Sequence, residues 1–437
     1  MKENLLKRIE DKSLLVGVIG LGYVGLPLAV EIAKSGFQTV GFDIVKEKVD
    51  MINKGCNYIS DIKDEDLRSV VDKKILSATD SFEFVMETDF IIICVPTPLD
   101  VHQQPDITYI KNSVTEVGRY LKRNSVVVLE STTYPGTTRE VVLPLLEEMS
   151  HLECEKDFYL GFSPERIDPG NEKYKTVNTP KVVGGVGDDA AKVISTAYRA
   201  FLDSSIFEVS SPEVAEMGKI LENTYRNINV ALVNEFAMLC NKMGIDIWEV
   251  IEVAKTKPYG FQAFYPGPGL GGHCIPIDPY YLTWKAREYS FHTSMIESAM
   301  MINDRMPEYC VERTIQLLNQ NSKPIKEAKI LMLGVAYKAD INDYRESPAI
   351  EVMQMLEQQG AILQYYDPYI HEYEKNGRKY VGMSHINEEL IASFDMVLIT
   401  TGHKVVDYEM VSQHGKIIFD LRNAMKDIKK RDNIELL

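Results

Sequence analysis

The chain has 437 residues, more than one hydrophobic core usually supports, so two or three domains are expected. Hydrophobic residues at 45% and charged residues at 26% fit an ordinary folded protein, and a net charge of −16 argues against nucleic acid as a partner, since phosphate neutralisation needs clustered cations. The charged first segment, residues 1–12, has no signal-peptide core, and the longest apolar runs are too short for a bilayer. No membrane partner is expected, and the cytoplasm is the expected location.

Residues 14–19 read as an apolar strand ending in Gly20-Leu21-Gly22-Tyr23-Val24-Gly25, with a helical pattern behind it that stops at Gly36. Residues 38–42 read as a second strand closing on Asp43, and buried strands are expected at 90–95, 125–129 and 158–162. Strands alternating with helices imply a parallel sheet covered on both faces. At Ser210-Ser211-Pro212-Glu213 an S-x-x-E capping box with Pro in the first turn opens a new helix. Val214, Met217, Leu221, Tyr225, Ile228, Leu232 and Leu239 then recur at helical spacing up to Gly244, a candidate C-terminal cap. Roughly 32 residues, or about 48 Å of helix, suit a spine between domains or an oligomer interface.

Further strands are expected at 329–333, 362–366, 395–400 and 416–419, with Gly334 and Asp367 following the first two. This order repeats the first half, with Gly-Val-Ala-Tyr-Lys in place of the glycine fingerprint. The expected fold is therefore α/β, with two Rossmann-like doubly wound parallel-sheet domains joined by a long central helix and a helical middle domain. The expected boundaries are 1–209, 210–322 and 323–437.

Several groups along this frame carry chemistry. Gly20 permits a tight turn, Gly22 lets backbone approach a pyrophosphate, and Gly25 allows close helix–strand packing, so the loop with Tyr23 and Val24 is a dinucleotide site. Asp43 lies 18 residues after Gly25, placed to accept from ribose hydroxyls and to repel a 2′-phosphate, which favours NAD over NADP. Of six cysteines, none in CxxC or Cys/His metal spacing, Cys274 alone follows a Gly/Pro run, Tyr265-Pro266-Gly267-Pro268-Gly269-Leu270-Gly271-Gly272. With Asp278 four residues on, it is a candidate nucleophile, while His273 reads as structural; no metal is expected. Lys219 and Asn223 share a helix face, which fits either a solvated stripe or a pair aimed at a developing oxyanion. Ser163-Pro164-Glu165-Arg166 fits either a helix start or a carboxylate facing a crevice. The turns Ser131-Thr132-Thr133 and Val95-Pro96-Thr97-Pro98 offer groups to the same crevice. Lys338 and Arg345 fit either a diphosphate grip or a network neutralised by Asp340, Asp343 and Glu346.

Jointly these pieces resemble one family. Gly-Leu-Gly-Tyr-Val-Gly-Leu-Pro (20–27), Cys-Val-Pro-Thr-Pro (94–98), Ser-Thr (131–132), Ser-Pro-Glu (163–165), Lys-x-x-x-Asn-Thr (219–224), Gly-Gly-His-Cys-Ile-Pro-x-Asp (271–278) and Tyr-Lys…Arg-Glu-Ser-Pro (337–348) occur in order. The chain is similar along nearly its whole length to the UDP-glucose/GDP-mannose dehydrogenase family of nucleotide-sugar 6-dehydrogenases. The resemblance implies an NAD-binding domain, a helical middle that makes a homodimer, and a C-terminal domain for the nucleotide of a UDP-sugar.

It also implies a four-electron oxidation of C6 through a thiohemiacetal and a thioester on Cys274. Lys219 and Asn223 would stabilise the C6 oxygen, Asp278 and Thr132 would organise a water, and Glu165 is a candidate base for hydrolysis. Lys48, Pro96, Thr97, Thr132 and Arg345 join the glycine loop and Asp43 on the cofactor side. Glu165, Arg166, Lys219, Asn223, Phe264, Tyr265, Gly267, Gly271 and Lys338 are placed on the substrate side.

One departure is Pro169, where members acting on UDP-glucose carry a second Glu; Asp168 is the nearest carboxylate to replace it. The run Arg166-x-Asp-Pro-Gly-Asn171, with Phe264-Tyr-Pro-Gly-Pro-Gly-Leu-Gly-Gly-His-Cys, looks like the branch that oxidises UDP-N-acetylhexosamines, notably UDP-N-acetylglucosamine, for surface polysaccharide. UDP-N-acetylgalactosamine, UDP-N-acetylmannosamine and UDP-glucose are the alternative substrates. A two-electron hydroxyacid dehydrogenase would not need Cys274. An NAD-binding sensor would leave the Lys219/Asn223 pair and Cys274 without a common purpose.

Overall fold

The computed structural model describes residues 1–437 except Ser60, Asp61, Pro169, Glu172, His273 and Lys430. The expectations for Pro169 and His273 thus lie outside the described residues. Contacts divide the chain into two compact units, residues 1–222 with 280–290, and residues 223–279 with 291–437.

The first unit is built on β1 (Leu15–Ile19), β2 (Gln38–Phe42), β3 (Leu76–Thr79), β4 (Phe90–Ile93), β5 (Ser125–Leu129), β6 (Phe158–Phe162), β7 (Lys181–Gly185) and β8 (Ile206–Val209). They form one sheet in the order β3-β2-β1-β4-β5-β6-β7-β8. The first six pair in parallel, with β1 between β2 and β4, so the strand order reverses where the glycine loop leaves β1. That reversal is where ligands bind in open α/β sheets. Every residue of β4, β5 and β6 is buried, which is why these strands read as continuous apolar runs rather than alternating ones.

The sheet departs from the all-parallel expectation at one seam. β7 runs antiparallel to β6 through Gly161–Gly185 and Phe162–Gly184. No helix occupies the described residues between β6 and β7, and without a crossover helix the chain returns reversed.

The helix Pro212–Met243 has 32 residues. Its start lies one residue later than the Ser210–Glu213 box. Ser211 accepts from the Val214 N–H at 3.4 Å, while Glu213 turns to Arg139 at 2.6 Å. Pro212 sets this register, because Pro suits the first helical position, where no N–H is needed. At the other end Gly244 has φ +68°, and the N–H groups of Gly244 and Ile245 return to Asn241 and Cys240 at 3.3 and 2.9 Å. These are the two bonds that close a Schellman cap.

The second unit carries β9 (Lys329–Leu333), β10 (Ile362–Tyr366), the hairpin β11 (Glu372–Lys375) and β12 (Arg378–Val381), then β13 (Met396–Ile399), β14 (Ile418–Asp420) and β15 (Ile434–Leu436). Its parallel sheet has the order β10-β9-β13-β14-β15, again reversing beside the strand that ends in a glycine loop. Both sheets use one device at their rear edge. Asp89, leading β4, accepts from the Leu15 N–H at 2.9 Å, and Asp395, leading β13, accepts from the Lys329 N–H at 2.8 Å. Among the described residues no helix is long and apolar enough to cross a membrane.

Candidate active site

In the first unit the candidate groups emerge from the C-terminal ends of β1, β2, β4, β5 and β6. Gly20 has φ +87°, and a Cβ on it would lie 2.6 Å from the Cys94 carbonyl oxygen. A Cβ on Gly25 would lie 1.9 Å from the Gly20 carbonyl oxygen, whereas one on Gly22 would meet nothing within 4 Å. Two glycines are therefore fixed by packing, and the middle one faces open space in which a pyrophosphate can approach. The helix Gly25–Lys34 starts here and directs its positive end at that space. Tyr23 is exposed and Val24 half-buried.

Asp43 is buried, its carboxylate accepting from the Leu21 and Val45 N–H groups at 3.0 and 2.9 Å. Lys48 reaches the same carboxylate at 3.6 Å. The residues present thus fit a dinucleotide. Ile44, directly after Asp43, is 77% exposed, an apolar side chain beside this carboxylate that sequence reading had passed over.

The two crevice turns are stitched together by Ser131. Its hydroxyl accepts from the Val95 N–H at 2.9 Å and donates to the Val95 carbonyl at 2.7 Å. Thr133 pairs with Thr137 at 2.7 Å, so the half-buried Thr132 is the remaining hydroxyl of the Ser131–Thr133 run. Pro96 is exposed, and Thr97 is buried with its carbonyl accepting from the Tyr281 hydroxyl. Glu216 ties this region to the long helix. Its carboxylate accepts from the Gly136 and Thr138 N–H groups at 2.6 and 2.9 Å, and burial pushes its carboxyl above the usual range. Lys219 follows three residues later and is only 7% exposed, which removes the solvated-stripe alternative for it.

Glu165 is also only partly exposed. One carboxylate oxygen accepts from the Arg166 and Ile167 N–H groups at 2.7 and 2.9 Å, and the other lies 3.3 Å from the Lys181 ammonium. The Arg166 guanidinium turns instead to Glu222, at 2.5 Å, and to the Pro180 carbonyl at 3.1 Å.

In the second unit the Cys274 loop is pinned at several points. The Gly267 N–H donates to Asn234 at 3.0 Å, the Gly272 N–H to the Arg345 carbonyl at 3.1 Å, and Asn227 donates to the Ile275 carbonyl at 3.2 Å. Asn223 donates to Asp278, whose own N–H returns to the Cys274 carbonyl at 2.9 Å. Asn223, Asn227 and Asn234 fall on one face of the long helix, so a ladder of amides holds both ends of the loop. Cβ atoms on Gly267 and Gly271 would lie 2.3 Å from Arg422 and 2.6 Å from Tyr337 respectively. Phe264 packs edge-on against Tyr225 at 5.8 Å, and Tyr265 stacks on Trp248 at 6.0 Å with its hydroxyl 3.0 Å from Glu252.

Cys274 is half-buried. Burial pushes the thiols of Cys94 and Cys310 up, and that of Cys154 up to about 11, so these three are poor nucleophiles.

Around β9 the acidic residue after the second strand repeats the contacts of Asp43, to the N–H after the loop glycine and to the N–H two residues on, and adds to them. Asp367 accepts from both the Val335 and Ala336 N–H groups, at 2.8 and 3.0 Å, closing the degenerate glycine loop. Burial opposes its charge, but His403, at 3.1 Å, and the Val335 and Tyr369 N–H groups hold its carboxyl below the usual range. Arg345 is paired with Asp343 at 2.7 Å, as the neutralised-network alternative has it, and Lys338 is half-buried. Arg422, after β14, donates to the Thr400 carbonyl at 3.1 Å beside Gly267, a cation that no glycine or proline signal marks in the sequence.

Family models cover the chain in order. The NAD binding domain of the UDP-glucose/GDP-mannose dehydrogenase family matches residues 14–202, its central domain 213–305, and its UDP binding domain 331–427. The chain belongs to this family. It is an NAD-dependent UDP-sugar dehydrogenase, an oxidoreductase. A UDP-N-acetyl-D-glucosamine 6-dehydrogenase of Salmonella typhi is 35% identical over 94% of this chain and 96% of that protein. A UDP-N-acetyl-D-mannosamine dehydrogenase of Pyrococcus horikoshii is 37% identical over 94% and 96%. A solved structure of the UDP-D-ManNAc dehydrogenase from the same organism superposes with a TM-score of 0.88 over 97% of this chain and 99% of that one.

Proposed function

We propose that this family member oxidises the C6 hydroxyl of UDP-N-acetylglucosamine to the carboxylate, through a thioester on Cys274, to supply a uronic acid for surface polysaccharide. The observation that carries the reading is the pinned loop. The loop that carries this half-buried thiol is held by four bonds to its backbone and by an Asn223–Asp278 bond, on a segment otherwise unable to keep regular structure.

Residues of the glycine loop and Asp43 hold NAD, which when bound accepts the hydrides lost from C6. Lys219 and Asn223 stabilise the C6 oxygen as its charge develops. The Cys274 Sγ adds to the C6 aldehyde, and oxidation of the adduct leaves a thioester. Glu165 then takes a proton from water, whose oxygen bonds to the acyl carbon as the carbon–sulfur bond breaks and its electron pair returns to Cys274. Asp278 and Thr132 orient the water, and Lys338 and Arg422 serve the nucleotide phosphates.

UDP-N-acetylmannosamine is the second reading, favoured by the 37% identical relative and the TM-score of 0.88. Ranking kcat/KM over the UDP-N-acetylhexosamines and UDP-glucose decides between them. A preference for UDP-N-acetylglucosamine supports the first reading, and a preference for the mannosamine epimer replaces it. With Cys274→Ser, uronic acid formation is expected to cease; undiminished product would rule out the thioester.

The protein also acts as at least a dimer in this reading. Tyr225, Leu232, Phe236, Leu239 and Met243, at helical spacing on the long helix, are 47–61% exposed, an apolar stripe that a second copy of the chain would cover. Light scattering that gives a monomer mass at micromolar concentration would contradict this.

A further inference from the structure

Three ionisable groups lie enclosed behind Glu165, and the reaction as described uses none of them. The Lys181 ammonium, at the start of β7, sits 3.0 Å from one Glu130 oxygen and 3.3 Å from Glu165, with side-chain exposures of 4%, 0% and 12% for the lysine and the two glutamates. The Tyr198 hydroxyl donates to the other Glu130 oxygen. We infer that Lys181 is a positioning residue for Glu165, and that the Glu130–Lys181 pair sets the protonation of the base that hydrolyses the thioester. This rests on Glu165 being that base.

The charge count explains why. Around Glu165 stand Lys181 from β7, Glu130 after β5, Cys94 after β4, Tyr198 from the helix Asp188–Phe201, and Arg166, whose guanidinium is engaged by Glu222 of the long helix. Burial pushes the Cys94 thiol and the Tyr198 phenol up, so both stay neutral. Burial also pushes the Glu130 carboxyl up against the pull of Lys181. It works against the Lys181 charge too, yet the two carboxylates hold that ammonium above its ordinary range.

One cation thus serves two carboxylates, leaving one surplus negative charge in an enclosed place. Lys181 holds one Glu165 oxygen, and the other is fixed by two backbone N–H groups. The surplus charge makes Glu165 sensitive to removal of either member of the Glu130–Lys181 pair. Of the two carboxylates, Glu165 is the one that reaches solvent.

The test is the pH dependence of thioester decay in the full-length enzyme with NAD and UDP-N-acetylglucosamine, following the acylated Cys274 by mass after rapid quenching. Lys181→Met removes the cation beside Glu165, and the acid limb of thioester decay moves up by about one unit or more. Lys181→Arg restores most of the rate. Glu130→Gln leaves the cation to Glu165 alone, and the acid limb moves down.

Opposite shifts support the proposal. Shifts in the same direction, or no shift in either folded variant, overturn it. If Lys181→Met does not fold, Glu130→Gln decides alone: a downward shift supports the proposal, and an upward or absent shift overturns it. Glu165→Gln separates the two layers. If that variant hydrolyses the thioester normally, the assignment of the base fails first. If it stalls while the other shifts fail, only the relay is wrong.

Discussion

Asn227 donates its side-chain amide to the carbonyl of Ile275, the residue after Cys274, at 3.2 Å. Asn227 is 1% exposed, and its side-chain oxygen accepts from the Asn303 amide at 3.4 Å, so the amide is fixed from behind. This bond sets where the turn after the thiol begins. Asn227→Ala is expected to lower kcat about tenfold or more by loosening the nucleophile, with a smaller change in KM for NAD. Steady-state kinetics and alkylation rates of Cys274 check it; an unchanged kcat would show that the turn keeps its place without the clamp.

Gly25→Ala places a methyl 1.9 Å from the Gly20 carbonyl oxygen, which neither backbone can absorb without shifting. The expected cost is about 1–3 kcal/mol, concentrated in the glycine loop. NAD affinity falls, while UDP binding to the C-terminal domain is retained. Calorimetric titration with each ligand separates the two effects.

Asp89 gives a pH-dependent prediction. Its carboxylate, 3% exposed, lies 2.6 Å from Arg8 and 2.8 Å from Lys122. Burial opposes the charge, but these cations and the Leu15 N–H together hold the carboxyl below its usual range. A depressed folded pKa contributes stability that is complete above the unfolded value, about 3.9, and is lost as pH falls through the folded value. Asp89→Asn should therefore cost about 3 kcal/mol at neutral pH, and the gap to wild type should narrow below about pH 4. Denaturant melts across that range measure it.

Much of the fold was legible because buried strands announce themselves. The strands expected at 38–42, 125–129, 158–162, 329–333 and 362–366 match β2, β5, β6, β9 and β10. The strands passed over have physical reasons for silence. β7 ends in Gly184-Gly185 and begins with the buried Lys181, and β3 alternates at a sheet edge over only 4 residues. The β11–β12 hairpin did carry a signal, Asn376-Gly377, both with positive φ.

The long helix shows the harder limit. Its large apolar residues were the periodic signal, yet Val214, Met217, Leu221, Tyr225, Leu232 and Leu239 are the exposed ones. Apart from Ile220, the buried face carries mainly small or polar residues, Ala215, Glu216, Lys219, Asn227, Ala231 and Asn234 among them, and the purpose of the polar ones appears only once the loops they bind are in place. Lys181 was silent for a related reason, since its partners Glu130 and Glu165 come from distant strands.

The central claim is a double oxidation at C6, and stoichiometry tests it most directly. Purified protein, excess NAD and a limiting amount of UDP-N-acetylglucosamine are incubated to completion, and NADH is counted against sugar consumed. Two NADH per sugar, with the uronic acid as product, is the expected result. One NADH per sugar, with an aldehyde or ketone as product, would contradict it.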